Sequence, residues 1–268
     1  MKPTIVRQDG PAGRFYVVDG VSYPSVTHIL GGGFPKPALQ WWAANLERES
    51  VSAAAADLFE DFGKAIVPPV MPREAYLATL KARLGTVKAH QKARDVACDI
   101  GSEAHRMIEW ILRTAIGSEA GPKPVISDAA QWSVFAFEDW AKSVHLKPIL
   151  LERTVYSKVH GFAGTLDILA RVHGVPTEVS IKTGKAVYSE AHLQSAAYVT
   201  ALVEMGYLEP AGGSLIVRLP KIESDPAFQV VPVAPAAELL PVFLAVKQVW
   251  AFQYAQDEAS RLRKKKVA

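Results

Sequence analysis

Two short segments of the chain carry residue types that could together hydrolyse a phosphodiester bond. Residues 161–167 end in Asp167, and residues 180–185 contain Lys182. Both segments are predicted to be strands, and only a short turn at 171–174 separates them, so the two side chains should point toward one place. A carboxylate there can hold Mg²⁺ or Mn²⁺, and an ammonium can align a water or offset charge on the scissile phosphate.

Strand periodicity places three further positions relative to this pair. Because side chains alternate with a period of two, Glu178, Ser180 and Lys182 are predicted on one face. Asp167 on the neighbouring strand could reach that face across a spacing of about 5 Å. The alternative interpretation is an ordinary buried ion pair between Asp167 and Lys182, and the spacing alone does not separate the two.

An upstream helix adds a second group. Gly101, His105 and Glu109 are spaced four apart, so they share one helical face. A glycine there permits close approach of another backbone or a ligand, and His105 could offer a ring nitrogen to a metal. The competing interpretation is a structural helix histidine.

A third group follows the lysine. Gln194 and Tyr198 are four residues apart on a predicted helix, and both could hydrogen-bond a phosphate or a positioned lysine. The small residues 195–197 would let this helix pack close to a sheet. An amphipathic helix with Tyr198 half-buried remains the alternative.

The elements that must position these groups follow from periodicity. The pattern predicts a hairpin around Asp19-Gly20, a short helix capped by Ser25, helices over 37–58, 73–116 and 127–144, and then strands from position 149. A helix over 189–205, two strands and a final helix complete the chain. We therefore expect an α/β (α+β) fold with a central mixed β-sheet flanked by helices. Residues 1–100 should form an N-terminal hairpin and helical lobe and residues 101–268 the core, joined in one compact unit.

Composition excludes several classes of protein. The chain has 268 residues, of which 49% are hydrophobic and 21% charged, as expected of a globular protein with a sizeable core. No run approaches the roughly 18 apolar residues of a membrane helix, and the N-terminal residues lack a secretory apolar segment. A single cysteine, Cys98, excludes an intramolecular disulfide and a four-cysteine metal site. A cytoplasmic setting, in a phage-infected or bacterial cell, is the expectation.

The order and spacing of these motifs resemble the RecB-like branch of the PD-(D/E)XK nucleases over residues 101–202. Residues 24–30 and 35–42 are similar to the corresponding segments of phage-encoded and mitochondrial genome maintenance exonucleases. The resemblance implies a restriction-endonuclease-like core and a metal-dependent DNA nuclease, namely an exonuclease acting on single strands or DNA ends in phage-type recombination, repair or replication. It implies Mg²⁺ or Mn²⁺ as cofactor, DNA as partner and a recombination protein as a candidate partner. The family's iron–sulfur branch needs four cysteines, so no iron–sulfur cluster is expected.

The same resemblance implies a role for each matching residue. His105 matches the metal-binding histidine, Asp167 the first metal-binding aspartate and Lys182 the catalytic lysine. Ile181 would offer its backbone carbonyl to the metal. Two residues match the motif that supports the lysine and the DNA: Gln194 and Tyr198.

Aromatic and basic residues outside this group are candidates for nucleic-acid binding. Stacking of bases on exposed aromatics is tolerant of sequence, and lysine and arginine neutralise phosphates. The alternative for the tryptophans is ordinary core packing. The candidate residues are Trp41, Trp42, Lys81, Arg83, Lys88, Lys92, Arg94 and Lys185.

Position 180 departs from the family pattern, which has a second acidic ligand two residues before the lysine. Ser180 would be a weak, neutral ligand, so the chain could be catalytically impaired. Three explanations stay open: an engineered inactive variant, which we favour because the residues around Ser180 still fit an active site, a natural protein that binds DNA ends without cutting, or substitution by Glu178. On the first explanation, Ser180→Asp should raise metal-dependent cleavage. A scaffold that binds no nucleic acid is a further alternative.

Overall fold

The structure is a computed structural model that describes residues 3–64, 71–210, 212–222, 224–225 and 228–267. Within these ranges, no helix is both long enough and apolar enough to cross a membrane. The elements in chain order are β1 (Ile5–Gly10), β2 (Gly13–Val18), β3 (Val21–Pro24), α1 (Val26–Gly33), α2 (Pro37–Gly63), α3 (Arg73–Leu84), α4 (Ala89–Ala115), α5 (Asp128–Ser143), β4 (Lys147–Ser157), β5 (Phe162–Val172), β6 (Val175–Lys182), α6 (Ser189–Glu204), β7 (Gly213–Arg218), β8 (Gln229–Pro232) and α7 (Ala236–Val267).

The central sheet has five strands in the order β4-β5-β6-β7-β8. Neighbours pair antiparallel except β6 and β7, which run parallel. The parallel pair is possible because α6 crosses between the two strands, as a parallel connection requires. The α/β class with a mixed sheet flanked by helices is thereby confirmed.

Helices bury both faces of this sheet. One apolar core joins α1, α6 and α7 to β4 and β5, and it includes Phe162, Leu202 and Phe243. The second core joins α4 and α5 to the opposite face, and it includes Ile108 and Trp140. Hydrophobic burial, the dominant favourable term in folding, thus holds the second half of α4 against the sheet.

The chain divides into two compact units, which differ from the division expected from the sequence. The first unit is Met1–Phe34 together with Ile100–Ala268, and the second is Pro35–Asp99. The N-terminal hairpin therefore belongs with the core and not with the helical lobe. Two contacts attach the hairpin and α1 to the core. Val26 and Ile29 of α1 are fully buried in the α6–α7 core, and the Tyr16 hydroxyl of β2 lies 2.9 Å from Thr165 Oγ1 of β5.

The second unit is helical and contains α2, α3 and the start of α4. The sequence predicted one helix over 73–116, but the structure has two helices there. Gly85 adopts φ +69°, a left-handed conformation that ends α3. Arg83 pairs with Asp61 of α2, and His90 Nδ1 lies 2.7 Å from Glu47 Oε1, so α2 is tied to both following helices.

Candidate active site

Asp167 lies where two strands of the central sheet part. The Cα register of β5 and β6 runs from Val172–Val175 as far as Ile168–Val179 and ends there. Beyond that point a side chain replaces the backbone as acceptor: Asp167 Oδ2 accepts the backbone N–H of Ile181 at 2.7 Å. Ile181 thus contacts Asp167 through its N–H group. The bond fixes one carboxylate oxygen and leaves Oδ1 directed elsewhere.

His105 of α4 meets that second oxygen. His105 Nδ1 lies 3.8 Å from Asp167 Oδ1, too far for a hydrogen bond but suitable for two ligands of one ion. α4 can come this close to the end of β6 because residue 101 is a glycine: a Cβ there would lie only 2.9 Å from Thr183 Oγ1. The glycine predicted to permit close approach therefore does so, one helical turn before the histidine.

Glu152 begins an E-x-x-x-Y-S motif at 152–157, but no role in the site was predicted for it from the sequence. It lies on β4, between the register pairs Leu151–Ile168 and Arg153–Leu166, which places it opposite Asp167. One ligand atom each from His105, Glu152 and Asp167 lie within 4.8 Å of one another. The sequence contained a signal, an acid within an apolar strand, but only the strand register shows that this acid faces Asp167.

Glu152 lies among apolar side chains and beside two other carboxylates, those of Asp167 and Glu109. The pocket it shares with His105 and Asp167 is walled by α4, β4, β5 and β6. Burial raises the pKa of the Glu152 carboxyl to about 8, and the neighbouring Asp167 and Glu109 carboxylates add to the rise. A cation bound there would relieve this repulsion. The pocket is lined by His105, Ile108, Glu109, Leu112, Leu151, Glu152, Asp167, Ile168 and Ile181.

Ser180 does not join this group. Its hydroxyl donates to Glu178 Oε1 at 2.8 Å and lies 3.1 Å from Ser195 Oγ of α6, while Ser214 donates to Glu178 Oε2 at 2.7 Å. Glu178, Ser180 and Ser195 are fully buried. The predicted shared face of Glu178 and Ser180 is therefore present, but Ser180 contacts α6 and Glu178 contacts β7, whereas the pocket of Asp167 is walled by α4. Neither residue is placed as a metal ligand beside Asp167.

This buried network predicts a pH-dependent stability. Burial raises the pKa of the Glu178 carboxyl from 4.5 to about 7, so the folded state holds its proton to higher pH than the unfolded state. The resulting stability is fully present below pH 4.5 and is lost as pH rises through about 7. Glu178→Gln should remove up to about 3 kcal/mol of the fall between pH 5 and 8. Urea unfolding of the unaltered protein and of Glu178→Gln at each of these two pH values, without metal, measures the difference. If the free energy of unfolding falls equally in both proteins as the pH rises, the prediction is wrong.

Lys182 ends β6 and is half-buried. The alternative of an Asp167–Lys182 ion pair does not hold, because no carboxylate of the described residues lies within 4.0 Å of its ammonium. Its backbone is fixed, since its carbonyl accepts the N–H of Leu219 at 2.7 Å. The lysine is thus held at the end of the strand that carries Ile181, with its charge available.

Gln194 and Tyr198 lie on one face of α6, as predicted. Gln194 Nε2 donates to the Tyr198 hydroxyl at 3.3 Å. Tyr198 is buried and packs on the backbone of β5, since a Cβ at Gly164 would lie 2.6 Å from its ring. Burial, with a contribution from Asp167, raises the pKa of the Tyr198 phenol, which therefore stays neutral. The pair is ordered and close to β5.

The candidate nucleic-acid residues are exposed. Trp41 is 73% exposed and Trp42 39%, so core packing does not explain these two tryptophans. The six basic candidates are exposed as well. Arg83 pairs with Asp61, and Arg94 pairs with the adjacent Asp95 at 2.9 Å. Seven of these residues lie in the helical unit and Lys185 lies in the first unit.

No protein-family model and no curated protein matches the chain. Among solved structures, the chain is similar to the crystal structure of a "Putative exonuclease" from Eubacterium rectale, with 16% identity and a TM-score of 0.37. The match covers 76% of this chain and 83% of that one. A likeness at this TM-score assigns no function to this chain.

Proposed function

We propose that this protein is a metal-dependent DNA nuclease, an exonuclease acting on single strands or DNA ends with Mg²⁺ or Mn²⁺. The observation that carries the proposal is the meeting of His105 and Asp167, whose Nδ1 and Oδ1 atoms lie 3.8 Å apart. They come from α4 and β5, at the point where β5 parts from β6, the strand that ends in Lys182. A divalent cation beside a cationic side chain is an arrangement that can hydrolyse a phosphodiester bond.

The donors present fit a hard divalent cation. Carboxylate oxygens and an imidazole nitrogen bind Mg²⁺ or Mn²⁺, and the Asp167 carboxylate is already oriented by the N–H of Ile181. Such an ion, when bound, polarises the phosphate and activates water. Lys182 aligns the attacking water and offsets charge on the phosphate. Gln194 and Tyr198 support this arrangement from α6.

Binding of the DNA is assigned to the exposed aromatic and basic residues of the helical unit. Trp41 and Trp42 offer faces on which bases stack without sequence preference. The nearby lysines and arginines neutralise phosphates, which makes binding dependent on salt. A role in phage-type recombination, and a recombination partner protein, rest on the motif resemblance alone. The Eubacterium rectale protein agrees in its name but carries no part of the argument.

The test is an assay on end-labelled DNA. Single- and double-stranded substrates labelled at either end are incubated with Mg²⁺, with Mn²⁺ and with EDTA. We expect short products released progressively from single-stranded ends with either metal and none with EDTA. Salt-dependent binding without product at any metal concentration would favour the alternative function, a protein that holds DNA ends uncut. Absence of salt-dependent DNA binding would favour a scaffold.

Metal binding by His105 is tested by His105→Ala. The substitution should weaken Mn²⁺ binding by about tenfold or more, because one of few ligands is lost. Stability should change little, since alanine is the better helix former. Calorimetric titration with Mn²⁺ and thermal melting measure the two effects, with His192→Ala on α6 as the control. A large fall in melting temperature with unchanged Mn²⁺ affinity would make His105 a structural residue.

A further inference from the structure

We infer that Glu152 supplies the second carboxylate of the divalent-cation site, so that His105, Asp167 and Glu152 hold the ion and no acid is needed at position 180. The inference rests on the proposed function and specifies its ligands. It replaces the expectation, drawn from the sequence, that an acid two residues before Lys182 is required. It also means that Ser180 is not evidence of an inactivated protein.

The geometry of the three side chains supports this ligand set. They come from α4, β4 and β5, and their ligand atoms lie within 4.8 Å of one another. Ligands of one Mg²⁺ lie about 3.0 Å apart when adjacent and about 4.2 Å apart when opposite, so side-chain movements on the order of an ångström close the set around an ion. One imidazole and two carboxylates supply a donor set and a charge that suit Mn²⁺ or Mg²⁺.

Among the described residues, Glu152 differs from the neighbouring acids in having no hydrogen-bond or ion-pair partner, although the charges of Arg113 and Arg7 act on it from further away. Glu109, which lines the same pocket, is paired with Arg113 at 2.7 Å, and both oxygens of Glu178 accept hydroxyl hydrogen bonds. Among the described residues, nothing donates a hydrogen bond to the Glu152 carboxylate or forms an ion pair with it. A partly buried carboxylate beside a second one is costly unless a cation compensates it.

The backbone directs Glu152 toward this place. Its φ is +45°, a left-handed conformation that non-glycine residues rarely adopt inside a strand. The β4–β5 register also shifts between Pro148 and Leu150, just before it. Irregularities of this kind re-aim a side chain and are frequent beside functional sites. They bring an acid from β4 to Asp167 without help from β6.

Position 180 is unsuited to the task. Ser180 is fully buried, and its hydroxyl lies 2.8 Å from Glu178 Oε1. A second carboxylate there would face Glu178 directly in an environment without solvent, and like charges so placed repel strongly. Serine fits because its hydroxyl donates to Glu178. Ser180→Asp is therefore expected to lower the melting temperature and to leave Mn²⁺ affinity unimproved.

The experiment measures Mn²⁺ binding by calorimetry, together with the rise in melting temperature that Mn²⁺ produces by binding the folded state. The unaltered protein is compared with Glu152→Gln, Asp167→Asn and Ser180→Asp. Glu109→Gln is the matched control, because it makes the same substitution at another acid that lines the same pocket. We expect Glu152→Gln and Asp167→Asn each to weaken Mn²⁺ binding at least about tenfold and to abolish most of the thermal shift. Glu109→Gln should change the affinity less than about threefold, as expected of an acid that is not a ligand.

Three results would overturn the inference. If Glu152→Gln binds Mn²⁺ as the unaltered protein does while Asp167→Asn does not, Glu152 is not a ligand and the proposed function stands. If Ser180→Asp raises Mn²⁺ affinity about tenfold or more, the second acid belongs on β6. If the unaltered protein binds no Mn²⁺, the metal-dependent function itself fails. Glu152→Gln should also melt no lower than the unaltered protein without metal, since among the described residues it breaks no hydrogen bond or ion pair; a large fall would indicate a structural role.

Discussion

Replacing Asp167 with asparagine is expected to reduce metal-dependent DNA cleavage about 1000-fold, because the charge stabilisation of several kcal/mol that a bound ion provides is lost. Asparagine is the informative choice. Its side-chain oxygen can still accept the Ile181 N–H, as Asp167 Oδ2 does at 2.7 Å. The fold should therefore survive while the ligand charge disappears. Initial rates on labelled single-stranded DNA, over a range of Mn²⁺ concentrations, measure the effect.

The control for this variant is Asp139→Asn, an exposed position on α5. It should cleave at the rate of the unaltered protein. Asp167→Ala should be less stable than Asp167→Asn, since it leaves the Ile181 N–H without its acceptor. Cleavage by Asp167→Asn within tenfold of the unaltered protein would remove Asp167 from the metal site.

Replacing Lys182 with alanine is expected to lower kcat about 100- to 1000-fold, the usual cost of removing one group that stabilises developing charge. Affinity for DNA and for Mn²⁺ should stay within a few-fold, because the lysine acts in the transition state and not in ground-state binding. Single-turnover rates, binding isotherms and melting curves separate these terms. The absence of an ion pair to its ammonium among the described residues predicts a small change in stability.

Lys147→Ala is the matched control for the lysine, because it removes an exposed strand lysine at the start of β4. It should leave kcat unchanged. Loss of folding in Lys182→Ala would point to a structural lysine. An unchanged kcat in a folded Lys182→Ala protein would exclude it from catalysis.

Much of the fold could be predicted because local signals decide it. The Asp19-Gly20 turn appears with positive φ at both residues, and Ser25 caps α1 by accepting the His28 N–H at 3.0 Å. Which residues of a helix face the core is harder to predict from the sequence. Trp140 is buried on α5, but Phe135 is 54% exposed, because apolar type alone does not fix which side of a helix packs.

In the candidate site too, the residues that could be predicted are those that local sequence patterns identify. His105 and Asp167 were predicted because spacing on a helix and a motif on a strand are local patterns, and the structure brings them together. Glu152 could not be predicted, because its approach to Asp167 depends on the register of β4 and on a left-handed residue. Strand alternation correctly placed Ser180 on the same face as Glu178. It did not bring Ser180 to Asp167, because the β5–β6 pairing ends before Asp167.

The central claim is that His105 and Asp167 hold a divalent cation. Crystals of the unaltered protein soaked in Mn²⁺, with diffraction recorded at a wavelength where manganese scatters anomalously, test it most directly. The account predicts an anomalous peak about 2.0–2.3 Å from a His105 nitrogen and from an Asp167 oxygen. A protein that cleaves DNA with Mn²⁺ but shows its anomalous peak elsewhere, with none between these two residues, would contradict it.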